Sequence, residues 1–331
     1  MTTFKEIRGK LIRTLDTDPT PATTYEGQIW YNKTIGVLKG AKNVSVAATW
    51  SSGGNLGTAR YDGGGAGTQT AGLAWGGNTP SSPALTANTE EYDGTSWTNG
   101  GSLATARSGN TGFGTQTAAV AHGGYAGSPP GITNVEHYNG TSWSAGTAFP
   151  KNVQGQAGFG ILTAGAVLAG SSAGTPFATE TTEYNGSAWT AANPIPRGVS
   201  RWACGTQTAG HARSASTNPS QVYDGTSWSD AAAMLVSTSR SGSGSQDAAI
   251  AAGGSPALTS TEEYDGTSWS TITATLGTAV DSTSDARGAS SKAQVMIAGG
   301  RPNSVGGTQT NVTQEFNDAF TEVQTQTLTT S

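Results

Sequence analysis

One cysteine, Cys204, stands among 331 residues. A single thiol excludes a disulfide within the chain and a cysteine-rich zinc site. Histidine is scarce too, with only His122, His137 and His211. These three and the lone thiol do not fall at metal-ligand spacing, so neither a metal nor a cofactor is expected. Charge is thin: acids and bases make up 12% of the chain, 22 against 17, for a formal net charge of −5. The one basic cluster, residues 5–13, is short and mixed with apolar side chains. No basic stripe exists to displace counterions, so nucleic acid is not an expected partner. No stretch approaches the ~18 apolar residues of a membrane span, and no membrane insertion is expected. Residues 1–13 lack the apolar core of a secretory leader, and a free thiol fits synthesis in the cytosol.

What the chain has in plenty is glycine, 48 residues, together with nine tryptophans and nine tyrosines. Gly, Thr, Ser and Ala dominate the rest, a composition suited to short strands and turns rather than helices. Disorder usually couples low hydrophobicity to high net charge; here charge is low and many large rings need packing. The phrase EEYDGTSW fills residues 90–97 and returns at 262–269. Copies of its Tyr-(Asp/Asn)-Gly-(Thr/Ser)-(Ser/Ala)-Trp core start at Tyr92, Tyr138, Tyr184, Tyr223 and Tyr264, in steps of 46, 46, 39 and 41. A degenerate sixth copy places Phe316 in the tyrosine position. Upstream, WSSGGNLGTAR from Trp50 matches WTNGGSLATAR from Trp97, so the pattern is entered partway through a repeat.

A second element lies between these. GTQTAGLAWGG from Gly67 recurs as GTQTAAVAHGG from Gly114, with weaker copies from Gly160, Gly205, Gly244 and Ser290. Each period reads as four strands. The first is small and Gly-rich and follows Arg60, Arg107, Arg197 or Arg240. A tight G-T-Q-T turn leads to an apolar second strand ending in Gly-Gly. A loop of varying length leads to a third strand ending at Tyr, and the Asp-Gly or Asn-Gly pair is read as a two-residue hairpin turn into the fourth strand, near Trp. Four short strands in each such period mark a propeller blade. One blade cannot bury both faces alone, so stacked blades must each present the same knobs. Trp50, Trp97, Trp143, Trp189, Trp228 and Trp269 are read as those knobs, each contributing roughly 1.5–3 kcal/mol on burial. The Gly-Gly pairs are placed where strands converge and no side chain fits. The recurring Arg is expected to reach carbonyls or a carboxylate of the next blade.

The order Gly-Gly, Tyr, Trp with intervening Arg resembles the kelch-type β-propeller over roughly residues 50–327. The resemblance implies an all-β, six-bladed kelch repeat domain over 46–331, closed by pairing the Trp50 strand with the C-terminal strands. If the tail after Phe316 supplies its own fourth strand, seven blades is the alternative. The third and fourth copies lose Gly-Gly, and the last has Phe320 for Trp.

Residues 1–45 read as a separate N-terminal arm. Phe4, Ile7 and Leu11 lie on one face of a short helix or alternate along a strand. GQIWYNKTIGVLKG reads as a hairpin, Ile29 to Tyr31 against Val37 and Leu38. The wording EGQIWYN followed by LKG, ahead of G-T-Q-T repeats, resembles the leader of structural proteins in tailed bacteriophages of marine bacteria. That resemblance implies a virion protein, assembled in the host cytoplasm and exposed outside the cell. Its arm would dock on other virion proteins through Phe4, Ile7, Leu11, Trp30 and Tyr31. The other reading of the arm is a cap on the propeller.

No catalytic residues are expected. Neither His122 nor His137 sits beside a nucleophile motif. Glu90-Glu91 and Glu262-Glu263 alternate faces on a strand, so neither pair converges on one substrate; they are read as solvated or edge-facing. Y-D-G-T-S-W differs from the Asp-box of sialidase propellers, where one residue separates Asp from Gly.

The two turn types barely vary among the copies, whereas the loops after Gly-Gly vary freely. The residue before Gly-Gly and the one two places earlier also vary, giving Trp75, His122, His211 and Arg213. Variable loops on a repeated scaffold are the usual place for recognition. These four residues are therefore expected on a ligand-binding face, unless they are only packing differences between blades. Replacing Trp75 and Arg213 by Ala is expected to abolish binding and leave the fold intact. The leading expected role is a tail-fibre-associated adhesin in host attachment, binding a surface receptor, protein or glycan. Alternatives are a non-adhesive decoration, collar or tail subunit with only protein–protein contacts, homo-oligomeric in the particle or not, and a propeller enzyme acting on polysaccharide.

Overall fold

The computed structural model describes residues 12–19, 28–80, 84–127, 131–168, 170, 179–214, 219–236, 240–281, 283–285, 292–302 and 309–328. Phe4, Ile7 and Leu11 lie outside the described residues, as do parts of the variable loops. Among the described residues regular structure is all β apart from one 3-10 turn, Lys292–Gln294. The strands begin with β1 (Arg13–Leu15), β2 (Ile29–Asn32), β3 (Val37–Val46) and β4 (Thr49–Ser52). Five repeats follow. They are β5 (Gly64–Thr68), β6 (Ala71–Trp75), β7 (Thr89–Tyr92) and β8 (Trp97–Gly100); β9 (Thr111–Thr115), β10 (Ala118–His122), β11 (Val135–Tyr138) and β12 (Trp143–Ala145); β13 (Ala157–Ile161), β14 (Ala164–Leu168), β15 (Thr181–Tyr184) and β16 (Trp189–Ala192); β17 (Val199–Thr206), β18 (Ala209–Ser214), β19 (Pro219–Tyr223) and β20 (Trp228–Ala233); and β21 (Ser241–Gly244), β22 (Ala249–Ala252), β23 (Thr261–Tyr264) and β24 (Trp269–Ile272). The last strands are β25 (Ser284–Asp285), β26 (Met296–Ala298), β27 (Thr313–Asn317) and β28 (Phe320–Thr327).

Residues 49–317 form one unit. Its five repeats each give a four-stranded antiparallel sheet in chain order. The sixth sheet runs β25-β26-β27-β4, taking its fourth strand from the beginning of the unit: Phe316 pairs with Trp50, and Asn317 with Thr49. The first strands touch in sequence, β5 to β9, β13, β17, β21 and β25, and β25 touches β5 again. The six sheets of this unit therefore follow one another around a closed circuit. The apolar core is correspondingly divided into seams. Leu73, Trp75, Leu103, Tyr138 and Trp143 fill the one between the first two sheets; Phe159, Leu168, Ile195, Tyr223 and Trp228 fill the one between the third and fourth.

The seams explain the small-residue wording. A Cβ on Gly165 would stand 2.1 Å from the Phe113 ring of the preceding sheet, and one on Gly210 would stand 2.5 Å from Phe159. Where the hole is Ala119 or Ala249 instead, the knob shrinks to Ala66 or Cys204. Volume is matched seam by seam, as close packing requires.

Three details differ from expectation. The Asp-Gly turn is a four-residue loop, 93–96, because Tyr92 pairs directly with Trp97. Asp93 Oδ1 accepts the N–H groups of Thr95 and Ser96 at 2.8 and 2.7 Å, and Gly94 takes φ +92°. An Asx cap of this kind needs only one side-chain oxygen, and Asn139, Asn185, Asp224 and Asp265 supply the same one. Both residues of the Gly76-Gly77 pair have positive φ, +63° and +101°, so backbone conformation as well as crowding demands glycine there. Finally, residues 318–331 group with residues 1–48 rather than with the propeller-like unit. In that second unit β1-β2-β3-β28 make a four-stranded sheet, with β1 and β2 parallel and β2 and β3 a hairpin pairing Tyr31 with Leu38.

Candidate recognition face

The repeated side chains are spent on joining each sheet to its neighbour. Five of the six repeat tryptophans aim the indole N–H at the preceding sheet, at the residue three before the tyrosine position. Trp97 donates to Thr313 at 2.8 Å, Trp143 to Thr89 at 2.8 Å and Trp228 to Thr181 at 2.9 Å. Trp50 donates to Thr261 at 2.9 Å and Trp269 to Ser220 at 3.3 Å. In the second sheet that position is Val135, and Trp189 turns to the Thr147 carbonyl, 2.8 Å away.

The tyrosines work the same way on the residue just before the tyrosine of the preceding sheet. Tyr92 donates to Glu315 at 2.6 Å, Tyr138 donates to Glu91, Tyr223 donates to Glu183 at 2.8 Å, and Tyr184 meets His137 Nε2 at 2.9 Å. Burial, and behind it the bond to Glu315, push the Tyr92 phenol up to about 12, so it stays a donor. Phe316 has no hydroxyl to offer, and Glu263 in the sheet before it pairs with Lys292 instead. The glutamine of G-T-Q-T is a third link. Gln116 Nε2 donates to the carbonyls of Gly72 and Tyr92, Gln207 to Gly165 and Tyr184, and Gln246 to Gly210 and Tyr223.

The recurring arginines are buried and reach into the sheet that follows them in the chain. Arg107 donates to the Gly123 and Asn134 carbonyls and pairs with Glu136 at 2.6 Å. Arg60 pairs with Glu90, and Arg240 with Glu262 at 3.3 Å. Glu90 and Glu262 are thus buried ion-pair partners, not the solvated carboxylates expected. Arg197 is not one of this set: its side chain is 39% exposed and it pairs with Asp230. In the other sheets the arginine position, four after Phe149, Ile195 or Leu276 as Arg60 is four after Leu56, holds Val153, Val199 or Val280, and the glutamate position holds Thr182, Gln221 or Gln314. Buried charge therefore comes and goes as a pair, which avoids an uncompensated ion.

The four residues expected on a ligand-binding face are in the interior. Trp75, His122 and His211 are fully buried, and Arg213 is 2% exposed. Trp75 meets Trp143 edge-on at 5.2 Å; His122 lies among Phe113, Phe149 and Trp189; His211 lies among Trp202, Tyr264 and Trp269. Strand alternation does put them on one side, but that side is covered by the next sheet. Replacing Trp75 and Arg213 would empty a seam rather than strip a surface. Burial holds His122 near 3 and His211 near 4, well below an ordinary imidazole. In the N-terminal sheet Trp30 is 2% exposed and donates to Asp18 Oδ1 at 3.0 Å, whereas Tyr31 is 41% exposed. Of the proposed docking residues that are described, only Tyr31 is open to a partner.

What remains available is the end of the ring opposite the two turns. Antiparallel order puts the G-T-Q-T and Asp-Gly turns at one end of each sheet, and Gly94 lies against Thr70 there. The second-to-third-strand loops emerge at the other end. Just past three of the Gly-Gly pairs the chain makes one further bridge, Asn78 to Tyr61, Tyr125 to Ser108 and Arg301 to Asp281. At the junction of the sixth and first sheets, the Arg301 guanidinium stacks over the Tyr61 ring at 4.4 Å. Its Nε donates to Asp281 Oδ1 at 3.2 Å, while Tyr61, Tyr125 and Arg301 all stay part-exposed. A cation held over an aromatic ring suits recognition of a polar partner. Sequence reading missed Tyr61, Tyr125 and Arg301. Aligning the copies one residue beyond Gly-Gly, and one beyond the arginine, shows that these positions vary too. Among the described residues no three His, Cys, Asp or Glu side chains are placed to hold a metal.

Four-stranded sheets in a closed circuit, joined by seam-spanning side chains, define a β-propeller. The solved structure of YjhT has this fold: it matches with a TM-score of 0.64, covering 82% of this chain and 99% of its own, at 14% identity. No protein-family model and no curated protein sequence matches the chain. Identity that low carries the fold and leaves function to the chain's own residues.

Proposed function

We propose that this chain is a six-bladed, kelch-type propeller that acts by binding. It serves as a virion structural protein of a tailed phage, at the tail or fibre, and holds a host surface receptor or glycan through the Gly-Gly end of the ring. The observation that carries the binding role is the Arg301–Tyr61 stack on the end where the loops vary, while the recurring Trp and Tyr side chains are consumed in the seams. The virion assignment is supported by the leader wording at residues 26–40 and the G-T-Q-T repeats. No catalytic role is assigned to any residue. A second reading, a non-adhesive decoration, collar or tail subunit, draws on Ile12, Tyr31, Ile35 and Phe320. These lie between 41% and 56% exposed, in the unit formed by residues 1–48 and 318–331.

The test combines Tyr61→Ala with Arg301→Lys, which keeps the charge beside Asp281 and removes the stack. Binding to host cells or to a glycan array is expected to fall about tenfold or more, the loss typical of a hot spot, with the melting temperature nearly unchanged. Unchanged binding in the folded variant contradicts the assigned face. Antibody labelling of particles over the head rather than the tail favours the second reading, and release of reducing sugar from host polysaccharide contradicts both.

A further inference from the structure

Strand β28 lies at the edge of the sheet β1-β2-β3-β28. Its register against β3 runs from Phe320 opposite Val46 to Thr327 opposite Lys39, and the Leu328 N–H donates to the Leu38 carbonyl at 2.8 Å. In an antiparallel ladder, successive residues alternate between turning their main-chain groups toward the partner and away from it. Counting back from Leu328, residues 326, 324, 322 and 320 bond to β3. Thr321, Val323, Thr325 and Thr327 turn N–H and C=O outward. Among the described residues no other strand pairs along that side, and Thr321 and Thr327 are exposed. The strand is eight residues long and carries one charge, Glu322, with no lysine and no proline. Apart from Glu322, the strand itself carries none of the usual devices that keep an edge from pairing.

We propose that two copies of the chain join edge to edge through β28, antiparallel about a two-fold axis at Gln324, into one eight-stranded sheet. A two-fold axis perpendicular to a sheet keeps opposed residues on the same face. Centring it on Gln324 brings all four outward residues into hydrogen-bonded pairs: Thr321 with Thr327 of the second copy, Val323 with Thr325, and the reciprocal two. On the face carrying the even-numbered side chains, Phe320 then lies opposite Leu328, Glu322 opposite Gln326, and Gln324 opposite itself. Phe320 is 55% exposed in the single chain. Leu328 lies over Gly40, where a Cβ would stand 3.4 Å from it, and so offers Phe320 an ordered apolar neighbour. The single acid meets an amide rather than its own copy, which removes the like-charge cost that self-pairing usually meets. A patch that meets itself closes at two copies, so the pairing makes dimers rather than fibres. It does not depend on what the recognition face holds, and it would present two such faces on one particle.

Light scattering of the purified full chain at micromolar concentration is expected to give twice the 33.3 kDa chain mass. Thr325→Pro removes an outward N–H without touching a bond to β3. It is expected to give the one-chain mass with an unchanged melting temperature. Gln324→Cys is expected to form an intermolecular disulfide under mild oxidation; Cys204 is buried and does not compete. A one-chain mass for the unaltered protein overturns the proposal. So does a two-chain mass that survives Thr325→Pro with no cross-link at residue 324.

Discussion

His122 and His211 show most directly what a seam does to a side chain. Each is surrounded by aromatic rings of two sheets, and among the described residues neither ring nitrogen of His122 has a hydrogen-bond partner. Desolvation is the main cause of their low pKa values, and for His122 the Arg107 charge adds to it. As pH falls below about 6.5, the ordinary histidine value, the unfolded chain takes up these protons and the folded chain does not. Stability is therefore full above that pH and drains as pH falls toward 4, by up to about 1.4 kcal/mol per pH unit for each histidine. Leu168 holds the position of His122 in the third sheet, which makes His122→Leu a tolerable exchange. Urea unfolding between pH 7 and 4.5 is expected to show a shallower loss for that variant than for the unaltered chain; parallel curves would contradict the burial of His122. The paired charges make a second residue-scale prediction. Arg107→Val alone leaves Glu136 buried without its cation, at a cost of about 3–5 kcal/mol. Adding Glu136→Gln copies the Val280 and Gln314 combination of the sixth sheet and is expected to recover part of that loss. A double variant less stable than the single one would mean that the two positions are not coupled.

At the scale of strands and sheets, the wording of the repeat is largely a list of joints. The four-strand period, the second-strand Gly-Gly, and the Tyr and Trp flanking one loop were legible because they recur at fixed spacing, and recurrence marks what every copy must supply. The pairing of the Trp50 strand with the strand that holds Phe316 was legible for the same reason: the first partial copy lacks what the last one needs. The destination of each side chain was not legible. Spacing says that a glutamine stands in four of the six turns but not that Gln116 reaches back to Gly72 and Tyr92, because that bond crosses to another repeat. The recognition residues failed for a related reason. Alternation correctly put Trp75, His122, His211 and Arg213 on one side of their strands, but it cannot say that the neighbouring sheet covers that side. Tyr61 and Arg301 lie 240 residues apart and meet only because the sixth sheet returns to the first. Contacts made by closure leave no local trace in a sequence.

The whole molecule rests on that closure. Each sheet leans on two neighbours, so the circuit has no terminal sheet needing a polar cap, unlike an open array. Closure is achieved by β4 completing the sixth sheet, and every seam inherits its stability from that one pairing. Thr49 and Asn317 are opposed at the outer end of the pairing and both are exposed. Oxidation of the Thr49→Cys, Asn317→Cys variant is the most direct measurement. The account predicts rapid disulfide formation within one chain in the folded state. The bond should raise stability, by up to about 5 kcal/mol on the loop-entropy estimate for so long a loop. Two thiols that stay free under mild oxidation of the folded protein, or that link only between chains, would contradict it.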